Sequence, residues 1–347
     1  MKTIGFAIVG CGNIAPFHAD ALEKIADAKL VAVCDKMAYN TEHLAEKYGA
    51  SPYTDFTEML KQDDIDVVSI CLPSSLHEPF AIQAAEAGKH VIVEKPLDIS
   101  LEKCNAIIAA CETNNVKLAV IFPTRFKESS IVVKEAIEAG RFGTITMADA
   151  QVKWYRDQEY YDAGGWRGTW KYDGGGALMN QSIHYIDLLL SLMGPVESVY
   201  AHCETLARDI EVEDTAVATL KFKNGALGII QGATSIYPGL DVRIGIHGTN
   251  GSVVLDGESL DVWEFKDATP EDIKLKAKLQ KTGSSGAKDP TAFIDSKGHQ
   301  LQFEDMIEAI KMDRQPEVSG YEGRKSVEVI SAIYQSSREN KPVMING

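Results

Sequence analysis

Lys95 stands where a lysine can do chemistry. It belongs to the tripeptide Glu94-Lys95-Pro96, which follows the short apolar run His90-Val91-Ile92-Val93. The run predicts a buried parallel strand, and open α/β sheets bind ligands at the carboxyl ends of their strands. Lys95 is therefore either a proton carrier beside a bound cofactor or an ordinary solvated strand end. Glu94 is expected to accept hydrogen bonds that brace the strand end, and a cis peptide bond before Pro96 is a further hypothesis.

His184 is the second residue that could move a proton, because histidine ordinarily titrates near neutrality. The stretch Ala177–Met193 predicts a helix entered through three glycines at 174–176. Asn180, His184 and Asp187 follow at i, i+4 and i+7, so an α-helix places them on one face. Polar groups on an otherwise apolar helix need partners, and we expect a ligand among them. The alternatives are a hydrogen-bonded core histidine and an Asp187 that only orients a neighbour.

A glycine-rich turn near the N-terminus predicts a dinucleotide site. It joins the first predicted strand to the first predicted helix and fits the pattern G-x-G-x-x-G/A, as Gly10-Cys11-Gly12-Asn13-Ile14-Ala15. The glycines permit a tight turn and close approach of a pyrophosphate, whose charge the helix N-terminus stabilises. Asp35 ends the second predicted strand, where an acid binds ribose hydroxyls and repels a 2′-phosphate. We therefore expect NAD rather than NADP, although Lys36 leaves room for NADP; the alternative is a glycine turn that binds nothing.

Further residues are expected along the same cleft. On the cofactor side they are Pro73, His77, Glu94 and Lys95, and on the substrate side Arg125, Tyr155, Trp166, Arg167, Asn180, His184 and Asp187. An arginine can pair with an anion, and a Trp-Arg pair on a glycine loop suits stacking and anion capture. His77 could instead be a solvated helix start, and Trp166 could lie at a subunit contact. No group of His, Cys, Asp or Glu has the spacing of a metal site.

Residues 1–122 predict a dinucleotide-binding domain in which strands alternate with helices. This alternation is typical of a parallel, doubly wound α/β sheet, the Rossmann architecture. The predicted strands are Ile4–Val9, Leu30–Cys34, Ile65–Leu72, Val91–Val93 and Lys117–Ile121. The predicted helices are Ala15–Ile25, Ala38–Tyr48, Pro79–Ala87 and one capped by Ser100 that runs to Thr113.

Residues 123–347 predict an α+β domain for substrate binding and oligomerisation, with a large, mostly antiparallel open sheet. A helix at Glu128–Ala139 precedes the strands Ile145–Tyr155, Val196–Leu206, Thr215–Lys223, Ala226–Ser235, Val242–His247 and Gly251–Leu255. Asn224-Gly225 and Asn250-Gly251 are typical of hairpin turns, because Asn-Gly adopts positive φ easily. Lys281–Asp289 predicts a loop. The final helices, His299–Met312 and Tyr321–Glu339, could pack back on the first domain.

The composition narrows the class of protein. A length of 347 residues suits two domains, and no apolar stretch reaches the length of a membrane span. The net charge of −15 disfavours nucleic acid and anionic membranes as partners. Six cysteines without a CxxC pair indicate reduced thiols and a cytoplasmic location. An open sheet needs a cover on each face, so we expect a homodimer or a homotetramer.

Three motifs together resemble one family. They are Gly-Cys-Gly-Asn-Ile-Ala at 10–15, Glu-Lys-Pro at 94–96, and Gly-Gly-Gly-Ala-Leu-Met-Asn-Gln-Ser-Ile-His-Tyr-Ile-Asp at 174–187. In that order, across essentially the whole chain, they resemble the glucose–fructose oxidoreductase / inositol dehydrogenase / MocA-like (Gfo/Idh/MocA) family. The resemblance implies NAD(P)-dependent oxidation or reduction of a hydroxyl carbon in a sugar, cyclitol or sugar nucleotide. It also implies a substrate that lies between the nicotinamide and the open sheet.

The resemblance implies roles for single residues. Lys95 matches the family's catalytic lysine and His184 its catalytic histidine. Asn180 stands where many members carry an aspartate that helps proton transfer in the inositol-type enzymes, which favours the sugar-nucleotide branch for this chain. Two alternatives stay open: an NAD-dependent glycosidase that oxidises and re-reduces its sugar, and a non-catalytic NAD-dependent sugar sensor. The presence of both Lys95 and His184 weighs against the sensor.

Overall fold

The computed structural model describes residues 3–280 and 296–345. This part of the chain divides into two compact units, residues 3–123 with 296–327, and residues 124–280 with 328–345. Residues 296–327 thus join the first unit, whereas the sequence-based division assigned them to the second. The predicted loop at Lys281–Asp289 lies outside the described residues. None of the helices in the two described segments is long and apolar enough to cross a membrane.

The first unit contains a six-stranded sheet in the order β3-β2-β1-β4-β5-β6. All five strand pairs are parallel, and the order is that of a doubly wound dinucleotide-binding fold, so the predicted sheet is confirmed. The elements are β1 (Ile4–Val9), α1 (Ala15–Glu23), β2 (Ala28–Cys34), α2 (Ala38–Tyr48), β3 (Ser51–Tyr53), α3 (Phe56–Leu60), β4 (Val67–Ile70), α4 (His77–Glu86), β5 (His90–Val93), α5 (Leu101–Thr113) and β6 (Leu118–Val120). The short elements β3 and α3 were not predicted.

The core of the first unit explains why these segments form. All six residues of β1 are buried, as expected for a central strand covered on both faces. The helix α5 begins where predicted, since the Ser100 hydroxyl accepts the Lys103 backbone N–H. A later helix completes the core: Phe303 is fully buried and packs edge-on against Phe6, with ring centroids 5.8 Å apart. Burial of such a ring contributes about 2 kcal/mol, which holds residues 296–327 to this unit.

The second unit contains an eight-stranded sheet in the order β13-β12-β11-β7-β10-β9-β8-β14. Every pair is antiparallel except β7 with β10, so the predicted mostly antiparallel sheet is confirmed. Its elements are α6 (Glu128–Glu138), β7 (Ile145–Lys153), α7 (Gln158–Asp162), α8 (Ile183–Met193), β8 (Val196–Glu204), β9 (Thr215–Phe222), β10 (Leu227–Ala233), β11 (Arg243–Gly248), β12 (Gly251–Asp256), β13 (Ser259–Phe265) and α9 (Pro270–Leu279). The chain continues with α10 (Ser296–Lys311) in the first unit, α11 (Gly320–Glu339), which contributes to both units, and β14 (Val343–Met344).

The eight-stranded sheet buries one face and exposes part of the other. Along β9 the even-numbered residues are buried, whereas Val217 is 47% exposed. Met147 of β7 and Leu227 of β10 are register partners and are 48% and 55% exposed. An alternation of this kind is typical of an antiparallel sheet with only one face packed on its own core. We refer to the exposed surface around Met147, Val217 and Leu227 as the open sheet face.

Several predicted boundaries in the second unit need correction. The strand predicted to reach Tyr155 ends at Lys153, although Tyr155 keeps a single bridge to Ser235. The strands β13 and β14 and the helices α7 and α9 were not predicted. Gly225 has the positive φ expected of a hairpin glycine, at 91°. Gly251 does not, and a Cβ there would instead collide with the ring of Phe265, so this glycine serves close packing.

Candidate active site

The glycine turn between β1 and α1 is closed by Asp35. Gly10 has φ of 88°, and a Cβ at this position would lie 2.6 Å from the Cys71 carbonyl oxygen, so glycine is required. The Asp35 carboxylate accepts the backbone N–H of Cys11 at 2.9 Å and that of Met37 at 2.9 Å. It also accepts the side-chain amide of Asn40 at 3.1 Å. The carboxylate is therefore held in place at the carboxyl end of β2, beside the turn.

The residues of this turn fit a dinucleotide. A Cβ added to Gly12 would meet no atom within 4 Å, so the backbone is open to a bulky neighbour. No side chain caps the N-terminus of α1, which begins after Ile14, and Asn13 is exposed. Backbone N–H groups at such a helix start suit a phosphate. The predicted cofactor contacts of these residues and of Asp35 remain predictions.

His77 is placed differently from either expectation. It begins α4 and is only 1% exposed, so the alternative of a solvated helix start is wrong. Its Nδ1 lies 2.8 Å from the Pro96 carbonyl oxygen, and its Nε2 lies 2.8 Å from the Leu72 carbonyl oxygen. Both ring nitrogens are thus used within the protein, where they join the ends of β4 and β5. A cofactor contact of His77 stays a prediction and would have to use its ring carbons. Pro73 directly precedes the short 3₁₀ turn, Ser74–Leu76, that leads to His77.

Glu94 is a buried hydrogen-bond acceptor beside Lys95, as expected. Its carboxylate accepts the Nε2–H of His18 at 2.8 Å and the Lys95 backbone N–H at 3.0 Å. His299, from α10, brings its Nε2 to 3.6 Å from the same carboxylate. The peptide bond between Lys95 and Pro96 is cis, which confirms that hypothesis. We call His18, Glu94 and His299 the His–Glu–His cluster.

The charges of the His–Glu–His cluster follow from its contacts. Burial opposes ionisation of Glu94, yet hydrogen bonds from His18 and His299 hold its pKa well below the usual range. Burial lowers the pKa of His18, against the attraction of Glu94, so the ring is neutral. It donates from Nε2 to the carboxylate and accepts at Nδ1 from the Ser69 hydroxyl, 2.8 Å away. Glu94 is therefore a buried carboxylate anion that accepts from the neutral His18 ring and from the Lys95 backbone N–H.

The same cluster is the group of described residues whose ligand atoms come close enough to consider a metal, within 4.8 Å of one another. Its spacing suits hydrogen bonds better. Two ligands at about 2.0–2.2 Å from one tetrahedral zinc ion lie more than 3 Å apart, whereas His18 Nε2 and Glu94 Oε1 are 2.8 Å apart. The cluster could not be predicted from sequence spacing, because its three residues, at positions 18, 94 and 299, are far apart in the chain.

In the second unit, Arg125 and Asp187 bind each other. The Arg125 Nε and Nη2 atoms each lie 2.7 Å from a different oxygen of the Asp187 carboxylate. Both side chains are at most 9% exposed. Breaking a buried bidentate pair strands a charge, which costs about 3–5 kcal/mol. Asp187 thus orients Arg125, as the alternative interpretation expected, and substrate contacts of Arg125 and Asp187 stay predictions.

The helix that carries His184 is not α-helical from its start. Residues Ala177–Ser182 form a π-helix, and α8 begins only at Ile183. The wider turn changes the position of Asn180 relative to His184, so the expected single α-helical face does not hold. Short π-helical segments occur frequently at functional sites. His184 is half-buried on a helix whose other residues are mostly buried, and its Nδ1 atom is shielded from solvent.

Asn180 is held by a network that the sequence did not reveal. Its side-chain amide donates to Asp173, and its carbonyl oxygen accepts the side-chain amide of Gln181 at 2.9 Å. The same Gln181 amide donates to the Tyr160 hydroxyl at 2.9 Å. Asp173 also accepts the Gly168 backbone N–H, which connects the network to the Trp166 loop. Asp173, Gln181 and Tyr160 had no recognisable sequence signal besides their nearness to candidate residues.

The aromatic and arginine residues expected at the substrate side form two small groups. The Arg167 guanidinium lies 4.5 Å from the Tyr160 ring centroid and 5.4 Å from that of Trp166. The Tyr155 ring packs edge-on against Tyr237. The Arg208 guanidinium lies 5.1 Å from the centroid of the Tyr155 ring. Cations over aromatic faces are typical of such contacts. Substrate contacts of Tyr155, Trp166 and Arg167 remain predictions.

Family models match most of the chain. The model described as "Oxidoreductase family, NAD-binding Rossmann fold" matches residues 4–122, and the model described as "Oxidoreductase family, C-terminal alpha/beta domain" matches residues 134–345. The two matched ranges correspond to the parallel and the mostly antiparallel sheet. The glycine turn and Lys95 lie within the range of the first match, and His184 lies within the range of the second.

Three characterised proteins resemble the chain over much or all of its length. One is the WlbA dehydrogenase from Bordetella pertussis, which was solved in complex with NADH and UDP-GlcNAcA and is 39% identical to this chain. The match covers 100% of this chain and 99% of that protein's chain, with a TM-score of 0.91. The myo-inositol 2-dehydrogenase of Thermotoga maritima is 28% identical, with 97% of both chains covered. The D-glucoside 3-dehydrogenase of Escherichia coli is 32% identical over 64% of this chain and 67% of its own.

Proposed function

Since the chain belongs to the Gfo/Idh/MocA family of oxidoreductases, we propose that it transfers a hydride between NAD and a hydroxyl carbon of a sugar nucleotide. The observation that carries the proposal is the full-length similarity, at 39% identity, to a dehydrogenase solved with NADH and UDP-GlcNAcA. Asn180 supports it. Its amide donates to Asp173 and cannot act as the carboxylate found at this place in inositol-type enzymes.

NAD is the proposed cofactor, with NADP the weaker alternative. The Asp35 carboxylate is fixed at the end of β2 by two backbone N–H groups and Asn40. A fixed carboxylate binds ribose hydroxyls well and repels a 2′-phosphate. Comparison of kcat/KM with NAD and with NADP tests this choice, and a preference for NADP would contradict it.

A bound nicotinamide would accept the hydride, and we assign removal of the hydroxyl proton to residues of the protein. Removal of hydride from an alcohol carbon also requires removal of the hydroxyl proton by a base within hydrogen-bond reach. We propose Lys95 and His184 for this task. Lys95 follows β5 at the carboxyl edge of the parallel sheet, and its backbone is held by Glu94. His184 is half-buried in the first turn of α8.

Steady-state assays with defined substrates test the proposal. The panel contains UDP-sugars with and without a carboxylate, the free sugars, myo-inositol and a chromogenic glycoside. We expect NADH formation with at least one UDP-sugar at a kcat/KM at least tenfold above that for myo-inositol. Release of the chromophore without net NADH would indicate the glycosidase, and binding without any turnover would indicate the sensor.

A homo-oligomer that uses the open sheet face is the proposed assembly. Met147 and Leu227 are about half exposed on it, side by side across β7 and β10. Light scattering of the purified protein should give the mass of a dimer or tetramer, and a charged residue at Leu227 should lower that mass. A monomeric mass for the native protein would refute the proposal.

The cytoplasm is the proposed location, because all six cysteines carry free thiols.

A further inference from the structure

The glycine run before the π-helix packs against a buried glutamate, Glu213. A Cβ on Gly176 would collide with the Glu213 carbonyl oxygen, and a Cβ on Gly175 would collide with the hydroxyl of Tyr334. These two glycines therefore provide close approach. The segment that leads to Asn180 and His184 begins in direct contact with Glu213 and Tyr334.

The Glu213 side chain binds the first backbone N–H groups of this segment. Its Oε2 accepts the Gly176 N–H at 3.0 Å, and its Oε1 accepts the Leu178 N–H at 2.8 Å. The Glu213 main-chain carbonyl accepts the Ala177 N–H at 3.0 Å. One residue thus satisfies three consecutive N–H groups at the start of a helix, which otherwise lack partners within the helix.

Tyr334 completes the environment of Glu213. Its hydroxyl donates to Oε1 at 2.8 Å from α11, and both residues are fully or almost fully buried. Burial raises the pKa of Glu213 to about 7, against the hydrogen bonds from Leu178 and Tyr334. Burial also raises the pKa of Tyr334 well above its usual range and that of the nearby Cys203 to about 12. Glu213 is therefore the member of this group that changes charge near neutral pH.

We propose that Glu213 is a positioning residue that fixes the π-helix and, through it, Asn180 and His184. The carboxylate anchors the first turn of the π-helix, and His184 follows that helix by two residues. A small displacement of a reacting group reduces the rate far more than it reduces binding. The kinetic part of the proposal rests on the function proposed above, whereas the anchoring part does not.

Glu213→Gln is the central test. The amide of glutamine offers one acceptor oxygen and directs N–H groups at a second backbone donor, so one anchor is lost. We expect kcat for the UDP-sugar to fall by tenfold or more, with KM values for sugar and NAD within about twofold of native. Amides 176–182 should exchange hydrogen faster than in the native protein. Ionisation of Glu213 should also contribute to a rise of the native kcat through about pH 7, and the variant should keep only the rise due to the general base.

Two further variants keep the test decisive. Tyr334→Phe removes one donor and should give a smaller fall in kcat and a smaller increase in exchange. Asp272→Asn is the matched control, because Asp272 is another buried carboxylate of the second unit, bound to Arg141 and Trp263; it should lose stability without a change in kcat or in exchange at 176–182.

The outcomes separate anchoring from function. If Glu213→Gln folds and shows unchanged kcat and unchanged hydrogen exchange at residues 176–182, the proposal is overturned. If Glu213→Gln does not fold, the same two measurements on Tyr334→Phe decide the proposal. If the native protein turns over no sugar at all, the proposed function fails. The exchange measurement then still supports or refutes the anchor.

Discussion

Glu94 of the first unit and Glu213 of the second are both buried. Glu94 accepts the backbone N–H of Lys95, and Glu213 anchors the start of the segment that leads to His184. They differ in their other partners. Glu94 is bound by His18 and approached by His299, and its pKa lies well below the usual range. Glu213 is bound by backbone N–H groups and Tyr334, and burial raises its pKa to about 7. Burial alone therefore does not decide the charge of a carboxylate; the number and kind of donors do.

The two regions should respond to pH with opposite sign. The folded pKa of Glu94 lies below its unfolded value, so its contribution to stability is present above about pH 4.5 and is lost as the pH falls. The lowered pKa of His18 acts in the same direction below about pH 6.5. The folded pKa of Glu213 lies above its unfolded value, so its contribution is present at low pH and is lost as the pH rises from 4.5 to about 7.

The largest expected effect concerns the residues that the two glutamates support. Lys95→Ala should lower kcat about 10³-fold, because it removes a group that exchanges a proton with the substrate. Binding of NADH, followed by its fluorescence, should stay within a few-fold of native. Lys61→Ala, at an exposed lysine paired with Glu58, is the control and should leave kcat unchanged. Retained turnover in Lys95→Ala would sink the assignment.

Glutamine substitutions should separate the two glutamates in stability at pH 7. Glu94→Gln should reduce the free energy of unfolding of the first unit by about 3 kcal/mol, because a buried donor loses its charged acceptor. Glu213→Gln should cost about 1 kcal/mol at this pH, the typical value of one hydrogen bond, because one backbone anchor is lost. Urea unfolding monitored by hydrogen exchange in β5 and β9 reports on each unit. Equal costs would contradict the contrast between the two regions.

The pH dependence of the same measurements tests the opposite signs. From pH 4.5 to about 7, ionisation of Glu213 should reduce the stability of the second unit by roughly 3 kcal/mol. The stability difference between native protein and Glu213→Gln should therefore shrink as the pH rises. For Glu94→Gln the difference should instead grow as the pH rises toward about 4.5 and stay nearly level from 4.5 to 7. If the two stability differences changed with pH in the same way, the two glutamates would share one charge state, which would contradict the contrast between the two regions.

The smallest expected effect sharpens the account of Glu213. Tyr334→Phe should cost about 1 kcal/mol, the typical value of one hydrogen bond. It should also raise the pKa of Glu213 further, because the Tyr334 hydroxyl favours the charged carboxylate. The shift can be followed through the pH dependence of exchange at 176–182. A lowered pKa in this variant would mean that Tyr334 accepts a hydrogen bond from the protonated Glu213 carboxyl and does not donate one to it.

Local patterns predicted much of this molecule. The glycine turn, the terminal Asp35 and the alternation of short strands and helices led to the parallel sheet, because backbone φ, capping and periodicity are decided by neighbours in sequence. Elements without a strong local signal were missed, such as β3 of three residues and β14 of two. The π-helix was missed because its sequence has the periodicity of an ordinary helix.

What the sequence by itself determined is the family, the fold class and the two residues, Lys95 and His184, on which the proposed chemistry depends. Only the tertiary structure decided which partners hold them. His18, Glu94 and His299 meet although they are far apart in the chain, and Glu213 reaches Gly176 from 37 positions away. Arg125 and Asp187, both predicted to lie on the substrate side, bind each other. The reason is physical: a buried polar group needs a partner, and which partner it finds depends on how the chain packs.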